Sequence, residues 1–426
     1  MNNYYLSGIL ALAVIGVVAG SFFVLSKNNV FEINSLNTVD NGEKKSFSPK
    51  ESPEEPKNKK IGENNDIEPQ KPLINPPAII KAVYFTAWSA GNSKKIDYLI
   101  DLAKKTEINA VVIDIKDYSG YVAYDINNEE VEKYKAKKIM IPKINSLLKK
   151  LHDEGIYVIA RITVFQDPIL AKARPDLAIH SKTKCKTSIR QLADKCKMSL
   201  LTLWLDHKKL AWIDPAAQEA WTYNVAIAKD AASRGFDELN FDYIRFASDG
   251  DLNDMFFPFW DEKIPKNKMI KKFFKYLREE LHNVKISADL FGVAVIEKND
   301  LGIGQIIEDS FDYFDYVSPM IYPSHYSAGF FGYKNPSLYP YETVKYSMTS
   351  AIERLKIYRG GTATSSISSS SLYPKVRPWL QDFDLGADYD AQKVRAQIKA
   401  SEESGGFGWL LWNPSNSYTL EALLPN

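Results

Sequence analysis

The sequence predicts an α/β protein: a (β/α)8 TIM barrel preceded by an N-terminal transmembrane anchor and a disordered linker. Three observations carry this prediction. After residue 78, short apolar runs alternate with amphipathic stretches, the texture of repeated βα units. Eight such runs can be counted, the number that closes a parallel barrel. Residues 6–25 contain no charge and residues 26–77 show no hydrophobic period, so neither stretch belongs to the globular body.

The segment Leu6 to Leu25 reads LSGILALAVIGVVAGSFFVL. At about 1.5 Å per helical residue it matches the roughly 30 Å hydrocarbon core of a bilayer. Residues 1–25 are therefore expected to anchor the chain in a membrane as a single pass. The small residues Val18, Ala19 and Gly20 leave a cleaved signal, and a secreted product, as the alternative. Residues 26–77 are rich in Asn, Lys, Glu, Ser and Pro, a composition that buries no core and behaves as a tether with a reach on the order of 40 Å.

The barrel is expected over residues 78–426. Its strands are read at Lys81 to Ala87, Ala110 to Lys116, Ile156 to Phe165, Phe236 to Asp242, Lys285 to Leu290, Tyr316 to Tyr322, Val376 to Gln381 and Phe407 to Trp412. Helical patterns lie between them: KKIDYLIDLAKKT, IPKINSLLKKLHDEG, DPAAQEAWTYNVAIAKDAASRG, NKMIKKFFKYLREELH, YETVKYSMTSAIERLKIY and DAQKVRAQIKASEESG. The third opens at Asp214-Pro215, and the second and third end at glycine, the start and stop chemistry of helices. An open doubly wound sheet is the runner-up. It requires a Gly-rich phosphate turn after an early strand, and the first such turn here reads AWSAGNSKK.

Composition narrows the function. With 54 Lys+Arg against 53 Asp+Glu, the chain lacks the positive excess that nucleic-acid binding draws on, so no nucleic-acid partner is expected. Two cysteines and five histidines argue against a zinc or iron–sulfur module, and no metal or cofactor is expected. Cys185 and Cys196 lie close together in an irregular stretch before Asp214. A disulfide is expected between them, its loop closure stabilising by about 2–3 kcal/mol. Such a bond places the domain outside the cytoplasm, two unrelated thiols being the alternative. The 24 Tyr, 21 Phe and 8 Trp exceed the needs of one core and suit the flat faces of sugar rings.

In a barrel of this kind, active sites gather at the C-terminal ends of the strands. Those ends carry Trp88, Asp114 and Asp117, Arg161, Asp242 and Arg245, Asp289, Tyr322 and His325, Gln381, Trp412 and Asn413. Alternation along the strands tests convergence. Leu239, Phe241 and Tyr243 share the helix-facing parity, which leaves Asn240 and Asp242 inside. By the same rule Ser287 and Asp289 point inward, as do Val112, Asp114 and Lys116. Buried carboxylates are costly unless paired or used. Two of them among aromatic walls, without a metal cluster, suit glycoside hydrolysis, in which one protonates the leaving oxygen and the other attacks or activates water. Asp242 is assigned as nucleophile or base and Asp289 as acid, the reverse remaining open. Trp88, Asp114, Asp117, Arg161, Arg245, Tyr322, His325, Gln381, Trp412 and Asn413 are candidates for substrate binding. An ion pair of the carboxylates with Arg161 or Arg245, or a loop cap, is the purely structural alternative.

At FDELNFDYIRF, SADLFG, SPMIYPSHY, RPWLQDF and GFGWLLWNPSNSY the chain resembles the glycoside hydrolase domain family long catalogued as a domain of unknown function, itself distantly similar to the α-amylase-like clan. The resemblance runs over most of residues 79 to 426 and implies a TIM barrel with catalytic acids on strands four and five, here Asp242 and Asp289. The strand-four text also looks like that of bacterial enzymes acting on peptidoglycan glycan strands. It is superficially similar to the chitinase strand, but chitinases carry a Glu where this chain has Ile244, so their substrate-assisted mechanism does not carry over. The α-amylase pattern has Glu where Asp289 stands, and its arginine precedes the strand-four Asp instead of following it as Arg245 does.

The expectation is thus an extracytoplasmic, membrane-tethered glycoside hydrolase cleaving a polysaccharide, either a cell-wall glycan or an α-glucan. The alternative is a catalytically inactive carbohydrate-binding or envelope scaffold protein on the same barrel. Nothing in the sequence sets the oligomeric state.

Overall fold

The computed structural model describes residues 66–185, 201–360 and 375–426. Eight parallel strands close on themselves: β1 (Ile80–Phe85), β2 (Ala110–Lys116), β3 (Tyr157–Thr163), β4 (Glu238–Asp242), β5 (Ile286–Phe291), β6 (Tyr316–Met320), β7 (Trp379–Gln381) and β8 (Gly408–Trp412). Closure comes at β1, which pairs β2 in the register Ala82↔Ala110 and β8 in the register Ile80↔Gly408. Gly408 is needed there. Its φ is +85°, and a Cβ would lie 2.0 Å from the Ile80 carbonyl oxygen.

Helices α1 (Ser93–Lys105), α2 (Ile144–Asp153), α3 (Gln218–Ser233), α4 (Lys266–Glu280), α5 (Pro340–Tyr358) and α6 (Ala391–Glu403) follow the expected patterns. Between β5 and β6 the crossover is made by two short 3-10 turns, Gly292–Val295 and Ile307–Ser310. The seventh strand, expected as one run from Val376, is split. Lys375–Val376 pairs the start of β6 and Trp379 pairs its end. Pro378 interrupts the ladder because it has no N–H to donate.

Strand alternation separates two apolar cores. Val111, Ile113, Ile115, Leu239, Phe241, Ile286, Ala288 and Leu290 pack outward against the helices, whereas Ile80, Ala82, Tyr84, Val112, Tyr157, Ile159, Trp379 and Leu410 fill the barrel. The barrel floor is ionic. Arg377 Nη2 meets Glu238 Oε1 at 2.5 Å with both side chains fully buried, so removing either partner would strand a charge at about 3–5 kcal/mol. The polar content of the barrel thus starts at its floor and continues to the C-terminal mouth.

Residues 66–77, which the sequence assigns to the linker, carry contacts to the barrel. Helix α2 has no side-chain cap of its own at Lys143. Asp66 supplies one from a distance, accepting from Asn145 N at 2.7 Å and Ser146 N at 3.0 Å. Leu73 N donates to Asp237 Oδ1 at 2.6 Å. Among the described residues no helix is long and apolar enough to cross a membrane, and the expected anchor lies outside them. The expected disulfide also falls outside, since Cys185 ends the strand His180–Cys185 and Cys196 is not described.

Candidate active site

The inward parity of β2, β3, β4 and β5 brings Asp114, Arg161, Asp242 and Asp289 to one point at the barrel mouth. Arg161 is the hub. Its Nη1 donates to Asp114 Oδ1 at 2.6 Å and its Nη2 to Asp242 Oδ2 at 2.5 Å. Its Nε lies 3.8 Å from Asp289 Oδ2, too far for a hydrogen bond. Because Asp242 and Asp289 flank the same guanidinium, their nearest carboxyl oxygens lie no more than about 9 Å apart, below the upper limit for two carboxyl groups that flank one glycosidic bond.

The two carboxyl groups have different surroundings. Asp242 is ion-paired, and its Oδ1 accepts the N–H of Tyr243 at 2.6 Å. Tyr243 itself has a left-handed backbone, φ +53°, a strained geometry for a bulky residue of the kind that clusters at functional sites. Asp289 is 1% exposed, and its Oδ1 accepts from Asn240 Nδ2 and Trp379 Nε1, each at 2.8 Å. Burial, and next the negative charge of Asp242, push its carboxyl up to about 8, against the opposing pull of Arg161 and the two hydrogen bonds. Burial also raises Asp114, with Arg161 opposing. Its Oδ2 accepts from the Tyr84 hydroxyl at 2.5 Å.

Aromatic rings wall this cluster. Trp412 stacks on Tyr84 with centroids 3.8 Å apart, Trp379 stands edge-on to both, and Arg161 lies over the Trp412 face at 5.1 Å. Phe291, two residues beyond Asp289 on β5, joins Met320, Tyr322, His325 and Tyr326 in lining an apolar pocket, and Tyr322 feels the charge of Asp289. Burial pushes the His325 imidazole down to about 4, so it is neutral at pH 7, and its Nδ1 is 2.9 Å from Ser324 Oγ.

The remaining predicted residues are dispersed. Trp88 stands on the short helix Ala87–Ala90, 62% exposed, with Lys138 Nζ over its ring at 5.3 Å. Arg245 is buried among Trp212, Tyr243 and Phe291 and donates to Phe246 O and Ser248 Oγ, and no carboxylate is within ion-pair distance among the described residues. Asp117 accepts from Ser119 N and Oγ and shapes its own turn. Gln381 joins Ser324 N to Phe383 O, and Asn413 bonds Asp382 O and Ser417 O. These three side chains spend hydrogen bonds on positioning the loops of the mouth.

Sequence reasoning passed over Tyr84, Asn240 as a partner of Asp289, and Trp379. The alternation rule would have found two of them had it been extended to KAVYFTA and RPWLQ, where Tyr84 and Trp379 have inward parity. Among the described residues no cluster of His, Cys, Asp or Glu has the arrangement to hold a metal ion.

A family described as "Putative glycosyl hydrolase domain" matches residues 82–418. The fold is similar to that of the PgaB (BpsB) glycoside hydrolase domain from Bordetella bronchiseptica, with a TM-score of 0.52 and 15% identity over 79% of this chain and 94% of that one. A hypothetical protein from Ruminiclostridium thermocellum ATCC 27405 is 35% identical over 52% of this chain and 98% of its own, with a TM-score of 0.42. The glycoside hydrolase domain of PelA from Pseudomonas aeruginosa is 10% identical over 81% of this chain and 97% of its own, with a TM-score of 0.38. No curated protein matches the chain.

Proposed function

The chain belongs to this family of glycosyl hydrolase domains and is a glycosidase, and from that premise we propose that it cleaves a polysaccharide, either a cell-wall glycan or an α-glucan, with Asp289 as general acid and Asp242 as nucleophile or base. The observation that carries this reading is the asymmetry around Arg161. One guanidinium holds Asp242 in an ion pair at 2.5 Å and leaves Asp289 without a direct bond. A buried carboxyl next to an ionised one keeps its proton. Glycoside hydrolysis asks for that pairing, one neutral acid to protonate the leaving oxygen and one anion to meet the anomeric carbon or its attacking water. Trp412, half-buried, and Trp88, exposed, offer faces for sugar rings, and Tyr322, which lines the pocket, offers a polar edge for hydroxyls.

The charge-free segment 6–25 and the polar stretch after it support tethering to a membrane with the barrel on the extracytoplasmic side. Carbonate extraction of membranes and protease protection of intact cells test this placement. A chain released by carbonate, or shielded from external protease, would refute it.

To test the catalytic reading, the full chain is offered amylose, a β-1,3-glucan, chitin and denuded peptidoglycan strands, and new reducing ends are counted. Turnover of at least one is expected, with loss by on the order of 10²-fold or more in Asp242→Asn and Asp289→Asn while binding persists. Binding without turnover across the panel would replace the enzyme reading with a carbohydrate-binding one.

A further inference from the structure

The loop from β6 to α5 leaves the same end of the barrel as Asp242 and Asp289, because every strand of a parallel barrel delivers its following loop to that end. This loop, together with Tyr346 of α5, carries a row of rings that begins at the apolar pocket. Tyr326 lines the apolar pocket beside Asp289. Phe330 lies 4.5 Å from Tyr326 and 5.8 Å from Tyr346 between centroids. Phe331 follows at 4.7 Å from Tyr346, Tyr333 at 5.9 Å from Phe331, and Tyr339 is stacked on Tyr333 at 3.9 Å.

The outer rings do no work for the core. Phe331 is 57% exposed, and Tyr339 and Tyr346 are each 40% exposed. Phe331 also sits at φ +51°, in the left-handed region that strains a bulky residue, where a glycine would sit freely. The strained turn is fixed by Gly329 N donating to Tyr333 O at 2.7 Å and Gly332 N donating to Gly329 O at 2.9 Å. A large apolar side chain held mostly exposed on a strained backbone gains only its ring contacts with Tyr333 and Tyr346, and such outliers cluster at binding sites.

We infer that Phe331, Tyr346 and Tyr339 form a platform for the polysaccharide chain beyond the point of cleavage. Successive pyranose rings lay their apolar faces on these rings, and the tyrosine hydroxyls meet sugar hydroxyls. The occupant follows from continuity, since the row starts at the pocket beside Asp289 and a long substrate leaving that pocket runs onto it. Rigidity fits this role as well, because rings fixed before binding lose little freedom when a chain docks. The inference rests on the reading that the substrate is a polysaccharide and adds where its distal sugars lie.

The test uses the full chain with Phe331→Gly and Tyr339→Ala, and co-sedimentation with amylose, β-1,3-glucan, chitin and denuded peptidoglycan strands. Phe331→Gly removes the ring and suits the local backbone, so its Tm is expected to equal or exceed that of the parent. Each variant is expected to bind the retained polymer about tenfold more weakly, with the double variant weaker still. Where the parent turns substrate over, the rise in KM grows with chain length. Unchanged binding in both variants, or no binding of any of the four polymers by the parent, would overturn the platform. So would loss of a dimer on light scattering, or of binding to phosphatidylglycerol vesicles, in place of lost polysaccharide binding. Co-sedimentation does not depend on catalysis. Ring-dependent binding without turnover would therefore sustain the platform while refuting the catalytic reading, and turnover indifferent to the rings would do the opposite.

Discussion

Replacing Arg161 with methionine removes the one cation shared by three buried carboxyl groups. In the folded protein Asp114 and Asp242 are bonded to it at 2.6 and 2.5 Å, and all three side chains are buried. Taking one partner from a buried ion pair costs about 3–5 kcal/mol, because the charge left behind is neither solvated nor paired. The cost must depend on pH, since a stranded carboxylate escapes the penalty by taking up a proton. Asp114 is already pushed up by burial and restrained by Arg161, so the variant raises it further. A carboxyl whose folded pKa lies above its unfolded value contributes stability below the unfolded pKa and loses it as pH rises through the folded one. The deficit of Arg161→Met is therefore largest near pH 8 and smaller near pH 5. Urea unfolding followed by far-UV circular dichroism at both pH values measures it. Arg161→Lys should recover only part, since a point charge cannot meet two carboxylates in a fixed fork. A deficit under about 1 kcal/mol, or one equal at the two pH values, would refute the reasoning.

Other perturbations have equally definite outcomes. Asp289 is pushed up to about 8, so ionising it destabilises the fold; the parent's Tm should decline from pH 5 to pH 9 and Asp289→Asn should flatten that decline in differential scanning calorimetry. Trp379→Phe deletes the N–H that donates to Asp289 at 2.8 Å, which should move the alkaline limb of kcat/KM upward and cost about 1 kcal/mol in urea unfolding. Asp66→Ala uncaps α2 from outside the barrel and should lower stability by about 1 kcal/mol without altering the pH–rate profile.

The barrel was legible because its two faces obey one rule. Asn240, Asp242, Ser287 and Asp289 were placed inside by the parity of their apolar neighbours, and the structure separates the outer and inner cores on those lines. The break in the seventh strand is written in Pro378, which has no N–H to give the ladder. The site was harder to read. Asp117, Gln381 and Asn413 look like ligands for sugar hydroxyls at strand ends, yet their hydrogen bonds go to loop backbone or to Ser119 in the same turn. Whether a polar side chain serves a loop or a ligand depends on the path of the loop, which has no period to read. Tyr84 and Trp379 carry the opposite lesson. As aromatics within apolar runs they pass for core, and only their partners, Asp114 and Asp289, reveal polar work.

The division of labour between Asp242 and Asp289 is tested most directly by infrared difference spectroscopy of the full chain against Asp289→Asn between pH 5 and 9. The expected result is a protonated-carboxyl C=O band that belongs to Asp289, persists at pH 7 and disappears with a midpoint near about 8. Absence of that band at pH 6 would show Asp289 ionised beside Asp242, leaving the site without its acid.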